Sequence, residues 1–105
     1  MPTRKRLPAK RRGVRFTLNI GAHPATIHTG EYEDGTLGEI FINVAKLGTF
    51  TSEICNAFAM MMSLALQHGV PLKTLHHTFR NFNMEPDLIR GIFEELEIHY
   101  GEETP

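Results

Sequence analysis

From Val14 onward the pattern of apolar and polar positions follows two different periods. Val14, Phe16, Leu18 and Ile20 alternate with Arg15, Thr17 and Asn19. That is period two, which predicts a strand with one buried face. Gly21 to Pro24 read as a turn, and Ala25, Ile27 and Thr29 then alternate with Thr26 and His28 in a second strand. Tyr32 falls out of phase, so Gly30 is read as a bulge. Asp34-Gly35 is a tight-turn signal. Ile40, Ile42 and Val44 alternate with Phe41 and Asn43 in a third strand. Three consecutive strands with short links predict an antiparallel meander.

Beyond Val44 the period lengthens. Ile54, Phe58, Met61, Met62 and Ala65 share one helical face, widened by Cys55 and Leu66, while Ser52, Asn56, Ser63 and Gln67 form a narrow polar stripe with Met60 at its edge. Thr51 is a suitable cap, and His68-Gly69 followed by Pro71 carries stop chemistry. So apolar a helix is expected to cross the sheet as the centre of the core. A second helix begins at Pro71, with Leu72, Leu75, Phe79 and Phe82 on its buried side. A third begins near Pro86-Asp87, with Leu88, Ile92 and Leu96 inward and Ile89 and Phe93 beside them. The order βββααα predicts an α+β fold: a small three-stranded antiparallel meander with three helices packed on one face.

The charge distribution divides the chain. Residues 1–13 hold Arg4, Lys5, Arg6, Lys10, Arg11 and Arg12 and no acid; the remainder has five basic residues against twelve acidic ones. The reading is a basic flexible arm over residues 1–13, an α+β domain over 14–100 and a frayed tail over 101–105. Such an acidic body repels polyanions, so only the arm suits them. The apolar runs fall short of a bilayer span, and the basic N-terminus lacks the apolar stretch of a secretory signal. With a single cysteine and no disulfide framework, the expected location is the cytoplasm.

The candidate chemistry is thin. His76 and His77 are adjacent and point about 100° apart on a helix, His23 and His28 fall on opposite faces of a regular strand, and metal-ligand spacings are absent; no metal site is expected. Cys55 lies on the apolar helix face and reads as a small core residue. Met61 and Met62 read as core fillers, and Met60 as a partner contact beside the polar stripe. Glu31, Glu33, Asp34 and Glu39 gather around a solvated hairpin. No catalytic residues are assigned, and catalysis by this chain alone is not expected.

Residues 31–75, EYEDGTLGEIFINVAKLGTFTSEICNAFAMMMSLALQHGVPLKTL, resemble the C-terminal region of the adenosylcobalamin-dependent class II ribonucleotide reductases. The resemblance is carried by Glu33-Asp34-Gly35 with Gly38-Glu39, by Lys46 with Gly48, by Met62 to Gln67 as MSLALQ, and by Gly69-Val70-Pro71-Leu72. RKRLPAKRRGVRF is similar to the basic connector and first strand of those enzymes. The same domain occurs alone in the TSCPD family. Its short motif is matched here by Asn83-Met84-Glu85-Pro86-Asp87, with Glu85 in place of the motif cysteine, so a thiol role there is lost. The resemblance implies adenosylcobalamin in the full-length enzymes, but their cofactor site and active-site cysteines lie in regions that this chain does not match.

Together these readings predict a non-catalytic accessory module associating with a reductase polypeptide or with itself, through Arg4, Lys5, Arg6, Lys10, Arg11, Arg12 and Met60. Nucleic acid bound by the arm is the alternative. The open sheet face, with Arg15, Thr17, Asn19, Glu39, Phe41 and Asn43, is polar apart from Phe41, while a meander leaves two free edges. A homodimer is therefore expected through strand edges or the helix stripe with Met60.

Overall fold

The structure, a computed structural model, describes residues 3–20, 23–44, 49–81 and 87–101. Three strands, β1 (Arg15–Ile20), β2 (His23–Glu31) and β3 (Leu37–Val44), are followed by three helices, α1 (Thr49–Gln67), α2 (Leu72–Asn81) and α3 (Asp87–Tyr100). The sheet is the expected meander, antiparallel in the order β1-β2-β3. His23 and Pro24 belong to β2, which therefore begins earlier than the turn signal Gly21 to Pro24 implies. The register slips between Gly30 and Glu31, the bulge that the phase change at Tyr32 indicated. Gly35 has φ 88° and donates its N–H to the Tyr32 carbonyl at 2.9 Å, closing the Asp34-Gly35 turn.

The inward strand face is the apolar one. Ala25, Ile27, Ile40, Ile42 and Val44 are buried, with Val14, Phe16 and Leu18 packed at the margin. Arg15, Thr17, Asn19, His28, Phe41 and Asn43 are exposed on the opposite face. Helices therefore cover one face only.

How the helices share that face differs from expectation. α1 does not cross the sheet; it packs along the edge strand β3, while α3 packs on β1 and α2 on α3. The centre belongs to α3, whose Ile92, Phe93 and Leu96 are fully buried. Among the described side chains of α1, only Cys55, Ala59, Met62 and Gln67 are buried. Ile54 and Met61, placed inward by the apolar periodicity, face outward. The reason lies in the polar stripe. Ser63 donates its hydroxyl to the Ile40 carbonyl at 3.1 Å and accepts the Ile40 N–H at 2.9 Å, and Gln67 donates to the Gly38 carbonyl at 3.0 Å. The free edge of β3 presents backbone groups that need partners, and Ser63 and Gln67, one turn apart, supply them. Turning the stripe toward the edge rotates much of the apolar face outward.

The helix ends follow local chemistry. α1 begins at Thr49, so Thr51 lies inside the helix rather than capping it. Its C-terminus closes on Gly69 at φ 91°: Val70 N–H reaches the Ala65 carbonyl at 3.0 Å and Gly69 N–H the Leu66 carbonyl at 3.0 Å, the paired bonds of a Schellman ending. Pro71 precedes α2, and its carbonyl accepts the N–H groups of Thr74 and Leu75. An aromatic chain joins the three helices. Phe58 meets Phe79 edge-on at 5.6 Å, Phe79 meets Phe93 at 5.7 Å, and His76 stacks on Phe93 at 4.7 Å. The Lys46–Gly48 link, Phe82, Asn83 to Pro86 with Glu85, the residues of the tail from Glu102 on, and the side chains of His23, Thr51 and Leu88 lie outside the described residues.

Candidate interaction surfaces

Residues 3–13 form neither helix nor strand, and they bond to the body along their length. Near one end, Lys5 donates its backbone N–H to the Gln67 carbonyl at 2.7 Å, and Arg4 Nε donates to Gln67 Oε1 at 2.6 Å. Gln67 thus holds β3 with its amide nitrogen and the N-terminal segment with its oxygen. Tyr32 donates its hydroxyl to the Lys5 carbonyl, while the Lys5 ammonium sits 4.5 Å over the Tyr32 ring. Leu7 packs so closely on Gly38 that a Cβ there would come within 2.8 Å of its side chain. Further along, Arg11 pairs with Glu39 at 3.1 Å and the Arg12 carbonyl accepts the Glu31 N–H at 2.8 Å.

A directed hydrogen-bond chain fixes the join. Val14 N–H donates to Thr29 Oγ1 at 2.7 Å, Thr29 Oγ1 lies 2.7 Å from the Tyr100 hydroxyl, and Tyr100 donates to Glu31 Oε2 at 2.6 Å. The carboxylate is a suitable terminus, since it only accepts. The end of α3, strand β2 and the entry to β1 are held together.

Two surfaces result. One is a basic ridge. Of the six cations, Arg4, Lys5 and Arg11 are engaged as described, whereas Arg6, Lys10 and Arg12 are exposed and have no ion-pair partner among the described residues. The ridge runs beside the acidic hairpin. There Asp34 accepts the Thr36 hydroxyl at 2.7 Å and the Thr36 N–H at 3.0 Å, which hold its carboxyl below the usual range. Burial pushes the Tyr32 hydroxyl up, with the Arg4 guanidinium opposing it.

The second surface is the outer face of α1. Phe50 is 75%, Met60 71% and Met61 69% exposed, and Ile54 and Leu64 are exposed beside them. Met60 and Met61 line a groove of about 570 Å³ with Phe41, Leu64 and Asn56, and Arg4 stands at its margin. In nineteen residues α1 holds one charged side chain, Glu53. An exposed apolar helix face of this extent is normally covered. No helix among the described residues is long and apolar enough to cross a membrane. Met60 is exposed on this apolar surface although Ser63 and Gln67 of the stripe it borders turn to β3, and Phe50, Ile54, Met61 and Leu64, which the periodicity did not mark as surface residues, share it. The signal available was the near absence of charge from a helix packed on one side of a narrow sheet.

The thiol is remote from both surfaces in character. Cys55 is buried, and burial pushes its pKa up, favouring the inert protonated form. Native protein is expected to react slowly with a thiol-labelling disulfide at neutral pH and quickly once unfolded; equal rates would show that Cys55 is accessible.

The TSCPD domain model matches residues 2–100, nearly the whole chain. The chain belongs to the TSCPD domain family. This TSCPD domain is 41% identical over 114 residues to a vitamin B12-dependent ribonucleotide reductase of Bradyrhizobium diazoefficiens, a match covering 95% of the chain and 9% of the reductase. It is 35% identical over 111 residues to the Agrobacterium fabrum enzyme of the same name, covering 92% of the chain and 9% of that protein. With the Streptantibioticus cattleyicolor enzyme it shares 36% identity over 85 residues, covering 81% of the chain and 14% of the relative. The chain thus spans about a tenth of the reductases it matches. No solved structure matches it.

The grooves among the described residues are small beside the B12 cofactor that those reductases' names carry. The surface grooves hold about 400 to 720 Å³, a size that suits drug-sized ligands at ~300–1,000 Å³ rather than a corrin with its nucleotide tail.

Proposed function

We propose that this TSCPD domain is a non-catalytic interaction module serving deoxyribonucleotide synthesis, and that it docks on a B12-dependent ribonucleotide reductase polypeptide through its basic ridge. The observation that carries this reading is the fixed N-terminal segment: Arg6, Lys10 and Arg12 project from a backbone bonded to Gln67, Tyr32 and Glu31. Cations on an ordered backbone can meet a matching acidic surface without first being ordered, and their charge speeds encounter. The buried thiol supports a role without radical chemistry of its own. Nucleic acid is the second reading, favoured by the same three cations. It is weakened by Glu31, Glu33, Asp34 and Glu39 beside them, whose field opposes a phosphate backbone.

The test is affinity capture from the host with the tagged domain. Recovery of a reductase polypeptide is expected, with capture lost when Arg6, Lys10 and Arg12 are all changed to glutamate. Absence of any reductase polypeptide from the wild-type capture would reject the reading. Binding to DNA or RNA that weakens steeply with salt and disappears in the same triple variant would favour the second one.

A further inference from the structure

We propose that two copies of this chain associate through α1, its helices antiparallel, with Glu53 of each copy against Arg4 of the other. This goes beyond the reductase reading and is independent of it, because it concerns a second copy alone.

The occupant is indicated first by spacing. Phe50, Ile54, Ala57, Met61 and Leu64 recur at intervals of four, three, four and three along the exposed side of α1. That 3.5-residue average is the seam of a helix that meets another helix. An open cleft for a small ligand or an extended peptide would not require it. The seam is also complementary to itself. Pairing each residue at one seam position with the other position in an antiparallel partner sets Ala57 against Met61 of the second copy and Ile54 against Leu64. A small side chain meets a long flexible one, and two branched aliphatics meet each other. A two-fold axis then passes near residue 59, the symmetry commonest among homo-oligomers.

Charge fixes the direction. In a parallel pair Glu53, on one flank of the seam, would meet the other flank of the second copy, where Phe58 and Ala65 offer it no cation. In the antiparallel pair the two Glu53 residues lie about 18 Å apart along the axis, from 1.5 Å per residue, beyond the ~8 Å screening length of physiological salt. The same register brings each Glu53 opposite Ala65 of the second copy, half a turn from Gln67. Gln67 Oε1 is the group that holds Arg4 Nε at 2.6 Å, and Arg4 borders the groove at that end. The single acid of α1 therefore meets a cation positioned by α1 itself. The seam from Phe50 to Leu64 is about 21 Å long by the same rise, shorter than a standard interface of ~800 Å² per partner requires, so assembly at micromolar concentration is expected.

Sedimentation of the full chain across a micromolar series tests this. Wild-type protein is expected to move from the 11.9 kDa chain mass to twice that value. Met61→Glu, at a site that is exposed in the single copy, should remain monomeric with an unchanged circular dichroism spectrum. Glu53→Arg should weaken association about tenfold, and Glu53→Arg combined with Arg4→Glu should restore it. A wild-type monomer throughout the series, a dimer indifferent to Met61→Glu, or a charge swap that fails to restore association would each overturn the proposal. A wild-type monomer that nevertheless captures a reductase polypeptide would overturn the dimer and leave the ridge reading intact.

Discussion

Phe93→Ala is expected to destabilise the protein by about 3–5 kcal/mol, the usual cost of removing a buried phenylalanine. Phe93 is 0% exposed and is among the largest fully buried side chains. Its ring joins two parts of the helical layer: Phe79 of α2 lies 5.7 Å away, and His76 of α2 stacks on it at 4.7 Å with an interplanar angle of 6°. His76 is held from its other side by Glu97 of α3, Nδ1 to Oε2 at 2.6 Å. Truncation would leave a cavity between α2 and α3 and take the aromatic support from that pair. Collapse is restricted, since the neighbouring Ile92 and Leu96 are themselves fully buried against the sheet. A domain of this size has roughly 5–15 kcal/mol in all, so the variant should lose about a fifth of its stability or more. Denaturant unfolding is the measurement, with a lower midpoint at unchanged slope. Phe93→Leu, which keeps most of the volume, should lose less than half as much. A Phe93→Ala midpoint close to wild type would show that α2 and α3 do not depend on this ring.

The sheet was legible because its signals are local. Alternation from Val14 to Val44, the Asp34-Gly35 turn and the phase break at Tyr32 each involve residues within a few positions of one another, and a bulge leaves its mark in the sequence as a missed alternation. The end of α1 was legible for the same reason, since Gly69 and Pro71 act on the adjacent backbone. The orientation of α1 was not legible. Its periodicity offers a broad apolar face and a narrow polar stripe, and the general rule turns the stripe to water. Here two members of the stripe, Ser63 and Gln67, serve an edge strand 23 to 29 residues away, and nothing within the helix records that need. Three backbone groups of that edge, the Ile40 N–H and the Ile40 and Gly38 carbonyls, take their partners from the stripe, and each would cost about 1–3 kcal/mol if buried and unmet, a sum comparable to that of leaving a few apolar side chains exposed. The basic segment was legible as a charge cluster but not as a position. Arg4 finds its acceptor 63 residues along the chain, and a charge count contains no such information.

Gly13→Ala is expected to loosen that segment without altering a single charge. A Cβ on Gly13 would stand 1.9 Å from the Thr29 carbonyl oxygen. This is backbone of the central strand, held by β1 on one side and β3 on the other, so no flexible side chain can give way. The segment has to move instead, and the bonds next to Gly13 move with it: Arg12 carbonyl with Glu31 N–H at 2.8 Å, Val14 N–H with Thr29 Oγ1 at 2.7 Å, and Thr29 N–H with the Val14 carbonyl at 3.0 Å. Thr29 is buried and its hydroxyl is the middle member of the chain from Val14 to Glu31, so part of this loss leaves inward groups without partners, a cost of about 1–3 kcal/mol. Hydrogen exchange should then show lost protection at Thr29 and Glu31, while amides of α3 around Phe93 exchange at rates set by the small global loss. The variant also separates the two readings of the ridge. A reductase surface matched to Arg6, Lys10 and Arg12 in fixed positions should bind Gly13→Ala more weakly, since the cations must be ordered again on binding. A nucleic acid held by counterion release should bind it as before, because the number of cations is unchanged. Wild-type protection at Thr29 and Glu31 in Gly13→Ala would refute the close approach of Gly13 to β2 and, with it, the fixed ridge.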